Sequence, residues 1–156
     1  MTNAQRSDPG EAVRELLERV VEALGLDATV EIVDDGEICT GIVHGDDLGL
    51  FIGRHGQTID AVQHLAQRAG GPPRSGDARR IVIDAEGYRE RREVMLKRQA
   101  DQACEDALRY GRPVALDAMT ASERRLVHEY LRDNGEVQTY SEGDEPDRHL
   151  VVAPLP

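Results

Sequence analysis

Tryptophan is absent from this chain, phenylalanine occurs once and cysteine twice. With Phe51 the sole Phe, ring-stacking platforms are scarce. Cys39 and Cys104 lie far apart in different segments, which is no disulfide framework and suits a reducing cytoplasm. Neither has a near partner, and the five histidines fall at no metal-ligand spacing, so no metal or other cofactor is expected. No apolar run approaches the roughly 18 residues needed to span a bilayer, so no membrane span is expected. The stretch Met1 to Pro9 is polar and lacks the apolar core of a signal peptide. An overall excess of cations is missing too: the net charge is −11.

The charge is unevenly spread. Residues 1–50 hold 3 Lys/Arg against 12 Asp/Glu, residues 51–112 hold 12 against 9, and residues 113–156 hold 4 against 9. The middle third alone is positive, at +3. Contacts to a phosphate backbone need local cations rather than a basic protein, so this distribution allows a modest, salt-sensitive affinity for nucleic acid.

The positive third begins at Leu48-Gly49-Leu50-Phe51-Ile52-Gly53-Arg54-His55-Gly56-Gln57-Thr58-Ile59. Two glycines three apart let the backbone turn tightly and expose its N–H groups. Ile59, Val62, Leu65, Ala66 and Ala69 then recur at helical spacing. The loop therefore opens a helix, whose N-terminal amides attract anions. Arg54 and His55 stand at the tip, where a phosphate would lie. This stretch resembles the G-x-x-G loop of KH domains, which clamps about four nucleotides of single-stranded backbone.

The flanking chain reads as alternating helices and strands. Asp8-Pro9-Gly10-Glu11 is a helix start, with Asp8 as the N-cap, and Val13, Leu16, Leu17, Val20 and Leu24 mark its apolar face up to Gly25. Two β-rich runs, Thr29 to Val33 and Glu37 to Val43, flank Asp34-Asp35-Gly36 as a hairpin. A short helix through Leu50, the glycine loop and a second helix to about Arg68 follow. Gly70 to Gly76 is the most flexible-looking interior stretch, and Ile81-Val82-Ile83 is a third strand. That order fits a type II KH fold, three strands covered on one side by helices.

Tyr88 to Tyr110 reads as one long helix, with Leu96, Ala100, Ala103, Ala107 and Tyr110 on its apolar stripe. Its basic residues Arg89 to Arg98 are interleaved with Glu90 and Glu93, so they read as a solvated face as readily as a contact surface. Val114-Ala115-Leu116 is extended. Thr120-Ala121-Ser122-Glu123 is a capping box opening a helix with the apolar face Leu126, Val127, Tyr130 and Leu131. Val137 to Ser141 and His149 to Ala153 read as strands joined by an acidic loop. Asp34-Asp35 and Asp144-Glu145 sit in turns and read as solubility features.

On the helix opened by Thr120, Arg124 and His128 are one turn apart, about 40° around its axis. They border the apolar arc, so packing can hold both while their tips reach solvent. An arginine can fork onto a phosphate, and a histidine can donate to one. Arg125 lies about 100° further round and is the weaker candidate. Glu123-Arg124-Arg125-Leu126-Val127-His128 resembles the signature helix of the R-3-H family, and Ser141 to His149 resembles the loop that follows it in bacterial members. A KH domain followed by an R-3-H domain is the arrangement of the bacterial Jag (SpoIIIJ-associated) proteins, and the resemblance runs from about Thr29 to Ala153. It implies a cytoplasmic RNA-binding protein, with Gly53, Arg54, His55 and Gly56 as the KH loop and Arg124 and His128 as the second pair. Many Jag proteins carry a further N-terminal domain and a long linker; here about eight polar residues precede the first helix. His55 stands where Lys or Arg is common at the second loop position.

The fold expected is α+β: a type II KH domain over residues 1–86, joined by a long helix to a small α+β R-3-H domain over 87–156. The function expected is non-catalytic binding of single-stranded RNA. Ile52, Gly53, Arg54, His55, Gly56, Gln57 and Ile59, with Arg124 and His128, are the candidate contacts. Ile52, Ile59 and a second-strand residue, Ile42, are expected to line an apolar groove for bases, read by hydrogen bonds to base edges. A protein partner or self-association through the KH domain is left open beside RNA. Two rivals stand: a ribonuclease using His128 as acid or base with Arg124 on the transition state, and an adaptor whose acidic surface meets a basic partner.

Overall fold

The computed structural model describes residues 8–70 and 79–156. The polar residues before Asp8, and all but Gly70 of the Gly/Pro-rich connector, lie outside the described residues. The chain forms two compact units, one up to Tyr88 and one from Arg89. Among the described residues no helix is long and apolar enough to cross a membrane.

The first unit opens with α1 (Pro9–Ala23), Pro9 taking the first helical position. Asp8 occupies the cap position but makes no capping bond; its carboxylate lies instead 3.4 Å from the Arg79 guanidinium. At the other end Gly25 and Leu26 donate their N–H groups to the carbonyls of Glu22 and Val21, both at 3.0 Å, which closes the last turn. β1 (Ala28–Asp34) and β2 (Ile38–Gly45) pair antiparallel. The turn between them has a structural reason for its acidity: the Asp35 carboxylate accepts from the N–H groups of Glu37 and Ile38 at 2.9 and 2.7 Å. The bonds from Ile38 and then Glu37 favour the ionised form and hold the Asp35 pKa below the ordinary carboxylate value. Asp34-Asp35 is thus the hairpin's own turn chemistry, not a solubility feature.

α2 (Gly49–Ile52), a 3-10 turn and α3 (Gln57–Ala69) lead to β3 (Arg80–Ala85), which pairs parallel to β2. The order is β1-β2-β3, so β2 is central. Alternation sends Cys39, Gly41 and Val43 of β2 and Ile81, Ile83 and Ala85 of β3 into one core, under Val13 and Leu17 of α1 and Ile59, Val62 and Ala66 of α3. Gly41 allows α1 to approach closely, since a Cβ there would lie 2.6 Å from Leu17 and 2.9 Å from Val13. Gln63 of α3 bridges to β3, its amide donating to the Ile81 carbonyl and its oxygen accepting from the Ile83 N–H at 2.6 Å. That covers polar groups of a strand edge that would otherwise be open to pairing.

The second unit is built on α4 (Tyr88–Tyr110). Leu96, Ala100, Ala103, Cys104 and Ala107 are buried, so this helix is a wall of the core rather than a spacer. Tyr110, expected on the same stripe, is 60% exposed with the Arg112 guanidinium over its ring, because the helix ends there and its last turn clears the core. β4 (Val114–Ala115), α5 (Ala121–Leu131), β5 (Val137–Glu142) and β6 (His149–Pro154) follow. The antiparallel sheet runs β4-β6-β5. Val127 and Leu131 of α5 pack with Leu150 and Val152 of β6. The overall class is the mixed α+β fold expected from the sequence.

Candidate nucleic-acid interface

α2 (Gly49–Ile52) is a single helical turn ending at Gly53. A 3-10 turn, Arg54–Gly56, then runs into α3. Gly53, His55 and Gly56 all have positive φ, at 76°, 57° and 76°. Gly53 and Gly56 are required twice over. Besides the left-handed backbone, a Cβ on Gly53 would lie 2.8 Å from the Thr58 nitrogen, and one on Gly56 would lie 2.7 Å from the Tyr88 hydroxyl. No N-cap side chain bonds the start of α3, and the Gln57 N–H is taken by the Arg54 carbonyl, so the helix start faces the loop with no side-chain cap, as an anion site requires.

Arg54 is exposed and its guanidinium has no partner among the described residues. His55 is half-buried and Gln57 exposed. Ile52, half-buried, packs against the first core beside the loop. The expected three-isoleucine groove does not form. Ile59 is 0% exposed and presents no surface to a base; its part is to hold α3 on the sheet. Ile42 alternates with the buried Gly41 and Val43 and so lies on the sheet face turned away from the helices. The loop is thus flanked by Ile52 alone of the three.

In the second unit α5 starts from a complete capping box: Glu123 N–H donates to the Thr120 hydroxyl, and Thr120 N–H to the Glu123 carboxylate. The same carboxylate takes both Nε and Nη2 of Arg92, at 2.7 and 3.3 Å, tying α4 to the start of α5. Part of the basic face of α4 is therefore structural.

Arg124 differs from expectation. It is only 8% exposed. Its Nη1 donates to the Met119 carbonyl at 2.6 Å and the Arg148 carbonyl at 3.5 Å, while Nη2 meets the Glu145 carboxylate at 2.7 Å. The guanidinium is spent on the segment before α5 and on the loop between β5 and β6, and its tip does not reach out to solvent. Glu145, read from the sequence as a solubility feature, is its ion-pair partner. His128 is exposed; its Nδ1 is hydrogen-bonded to the Thr139 hydroxyl of β5, and Nε2 has no partner among the described residues.

Between α5 and β5 lies an open cleft of about 480 Å³. Arg124, Arg125, His128, Thr139, Ser141 and Arg148 line it, and no carboxylate does. Arg125 is 80% exposed with Nε on Glu129 at 3.0 Å. Arg148 donates Nη1 to the Gly143 carbonyl at 2.6 Å. Arg148 was not a candidate from the sequence, because only closure of the β5–β6 hairpin carries it back to α5. Arg125, the weaker candidate on helical angle, stands on the cleft.

Two family models match this chain in turn: the KH domain of KhpA/KhpB over residues 10–83, and the R-3-H domain over residues 94–154. Three curated relatives, each named RNA-binding protein KhpB, align along most of it. The Clostridium symbiosum protein is 36% identical over 141 residues, which is 89% of this chain and 63% of that protein. The Lactiplantibacillus plantarum protein is 37% identical over 142 residues, 91% of this chain and 44% of that protein. The Bacillus subtilis protein is 28% identical over 151 residues, 96% of this chain and 72% of that protein. The chain thus spans between 44% and 63% of the length of the first two relatives. With a glycine loop opening α3 in the first unit, an arginine and a histidine one turn apart on α5 in the second, and these matches in the same order, the chain belongs to the KhpB (Jag) family, whose members join a KH domain to an R-3-H domain.

Proposed function

We propose that this chain binds single-stranded RNA in the cytoplasm without cleaving it, through a KH domain over residues 1–86 and an R-3-H domain over 87–156. The observation that carries the reading is the Gly53–Gly56 loop. It offers a helix N-terminus with no side-chain cap and, in Arg54, a cation without a partner among the described residues, on a backbone that only glycine satisfies at both ends. Such a surface holds phosphates by amide dipoles and one mobile cation. The three relatives are named as RNA-binding proteins, which supports the ligand class.

Arg54 is exposed and His55 half-buried at the loop tip, so replacing both with Asp should leave the melting temperature near wild type. Like-charge repulsion should remove most binding of a labelled single-stranded RNA in a gel shift, and the RNA should stay intact throughout. A folded double variant with wild-type affinity would take the glycine loop out of the mechanism. Shortened RNA after incubation would overturn the non-catalytic reading.

A further inference from the structure

Tyr130 falls on the apolar face of α5 by its spacing, yet it is 40% exposed where Val127 and Leu131 beside it are buried. Its hydroxyl reaches across to α4 and meets both oxygens of the Asp101 carboxylate, at 2.9 and 3.0 Å. The Lys97 ammonium lies 5.5 Å from the ring centroid. The ring is thus held at its tip and on its face, which fixes its orientation. It forms one wall of a groove of about 410 Å³ between α4 and α5, with the half-buried Leu126 beside it. That volume is within the range of small-ligand sites. The charges on the rim cancel in pairs: Lys97 meets Glu93 at 2.8 Å, and Arg125 meets Glu129 at 3.0 Å. A rim without net charge exerts little pull on a phosphate, and a fixed ring beside an aliphatic side chain suits an uncharged flat ligand. Arg125 lines this groove and also the cleft between α5 and β5, so the two adjoin across one side chain.

We propose that the groove between α4 and α5 takes one nucleobase of single-stranded RNA, stacked on Tyr130 while the adjoining backbone passes Arg125. The rim offers Lys97 as a donor and the carboxylates of Glu93 and Glu129 as acceptors, and a base edge carries groups of both kinds. The proposal rests on the RNA-binding reading above and adds to it a base contact, in a chain with no Trp and a single Phe that is 0% exposed. Stacking accepts every base, since each has a π-face, and favours a purine over a pyrimidine because that face is larger.

The test uses the full chain with labelled single-stranded oligo(A) and oligo(U), each titrated at several salt concentrations. Tyr130→Leu should weaken oligo(A) binding about tenfold, the effect of losing one stacked base, and oligo(U) binding by less. The slope of log affinity against log salt should stay at its wild-type value, because no phosphate contact is removed. Tyr130→Phe keeps the ring and should keep most of the affinity. Both variants lose the Asp101 bond, so any loss of folding stability is common to them and the ring alone separates them. With no Trp and four Tyr in the chain, oligo(A) should quench tyrosine emission on binding, and Tyr130→Phe should lose part of that quenching while still binding. Wild-type affinity in Tyr130→Leu, with binding that still depends on Arg54 and His55, would overturn this proposal alone; a groove that serves a protein partner would give that result. A shallower salt slope in Tyr130→Leu would mean a phosphate contact and overturn it too, as would equal losses in the Phe and Leu variants. If Tyr130→Leu does not fold, undiminished quenching in Tyr130→Phe decides against it. A wild-type chain that binds neither oligomer would overturn both this and the RNA-binding reading.

Discussion

At the residue scale, the two arginines side by side on α5 have opposite fates. Arg124 is 8% exposed and satisfies the carbonyls of Met119 and Arg148, while Arg125 is 80% exposed and meets Glu129 through Nε. Arg124→Ala would leave the Met119 carbonyl without this donor and Glu145 without its cation. A hydrogen bond to a charged group contributes about 1.5–3 kcal/mol, and the ion pair adds little because Glu145 is 60% exposed. The expected loss is about 2 kcal/mol. In a unit of this size that lowers the melting temperature by about 10 °C, which scanning calorimetry of wild type and variant would read. A melting temperature within about 2 °C of wild type would mean that the guanidinium does not hold the loop. Position on a helical wheel places Arg124 beside the apolar arc. It does not say whether its end is free, because the carbonyls that bind it arrive from the segment before α5 and from the end of the β5–β6 loop.

At the element scale, the order of helices and strands is legible because each carries its own period or stop. α3 shows 3.6-residue spacing, β2 alternates, and α5 has its capping box written as Thr120-Ala121-Ser122-Glu123. What the sequence hides is which ends are tied by partners distant in the chain. His44 of β2 lies between Glu31 of β1 and Glu86 just after β3, its Nε2 at 2.6 Å and its Nδ1 at 3.1 Å from their carboxylates. Glu86 also accepts from the Gly45 N–H at 3.1 Å. Three separated segments thus meet on one imidazole, and nothing in the spacing of Glu31, His44 and Glu86 announces it. The hydrogen bonds to Glu31 and then Glu86 raise the His44 pKa above its ordinary value near 6.5. A raised folded-state value means the tie adds stability that is fully present below about pH 6.5. That stability is lost as pH rises through the higher folded-state value. Urea midpoints should therefore fall between pH 6 and pH 9 for wild type, and by less for His44→Gln. Equal pH dependence of the two would show that the imidazole does not tie the strands.

At the scale of the whole molecule, an acidic protein must bind a polyanion by concentrating a few cations where they count. The overall −11 sets a repulsive background that every approaching strand feels. Among the described residues, the cations that stand against it at the two candidate surfaces are Arg54 and His55 at the glycine loop, and Arg125, His128 and Arg148 around the cleft of the second unit. Much of the remaining positive charge is occupied. Arg92 holds Glu123, Lys97 pairs with Glu93, and Arg79 reaches Asp34 and Asp8. The number of phosphates neutralised should then be small, about four. On a single strand each contributes about 0.7 to the salt slope, so log affinity should fall by about 3 per tenfold rise in salt. Titration of a labelled single strand across a range of monovalent salt measures this slope directly. A slope near −7, implying around ten contacts on the same scale, could not come from these side chains. It would mean that the basic residues of α4, or cations outside the described residues, join the interface. A slope near −3 that flattens further with the Arg54/His55 double Asp variant would tie the affinity to these few groups rather than to the net charge of the chain.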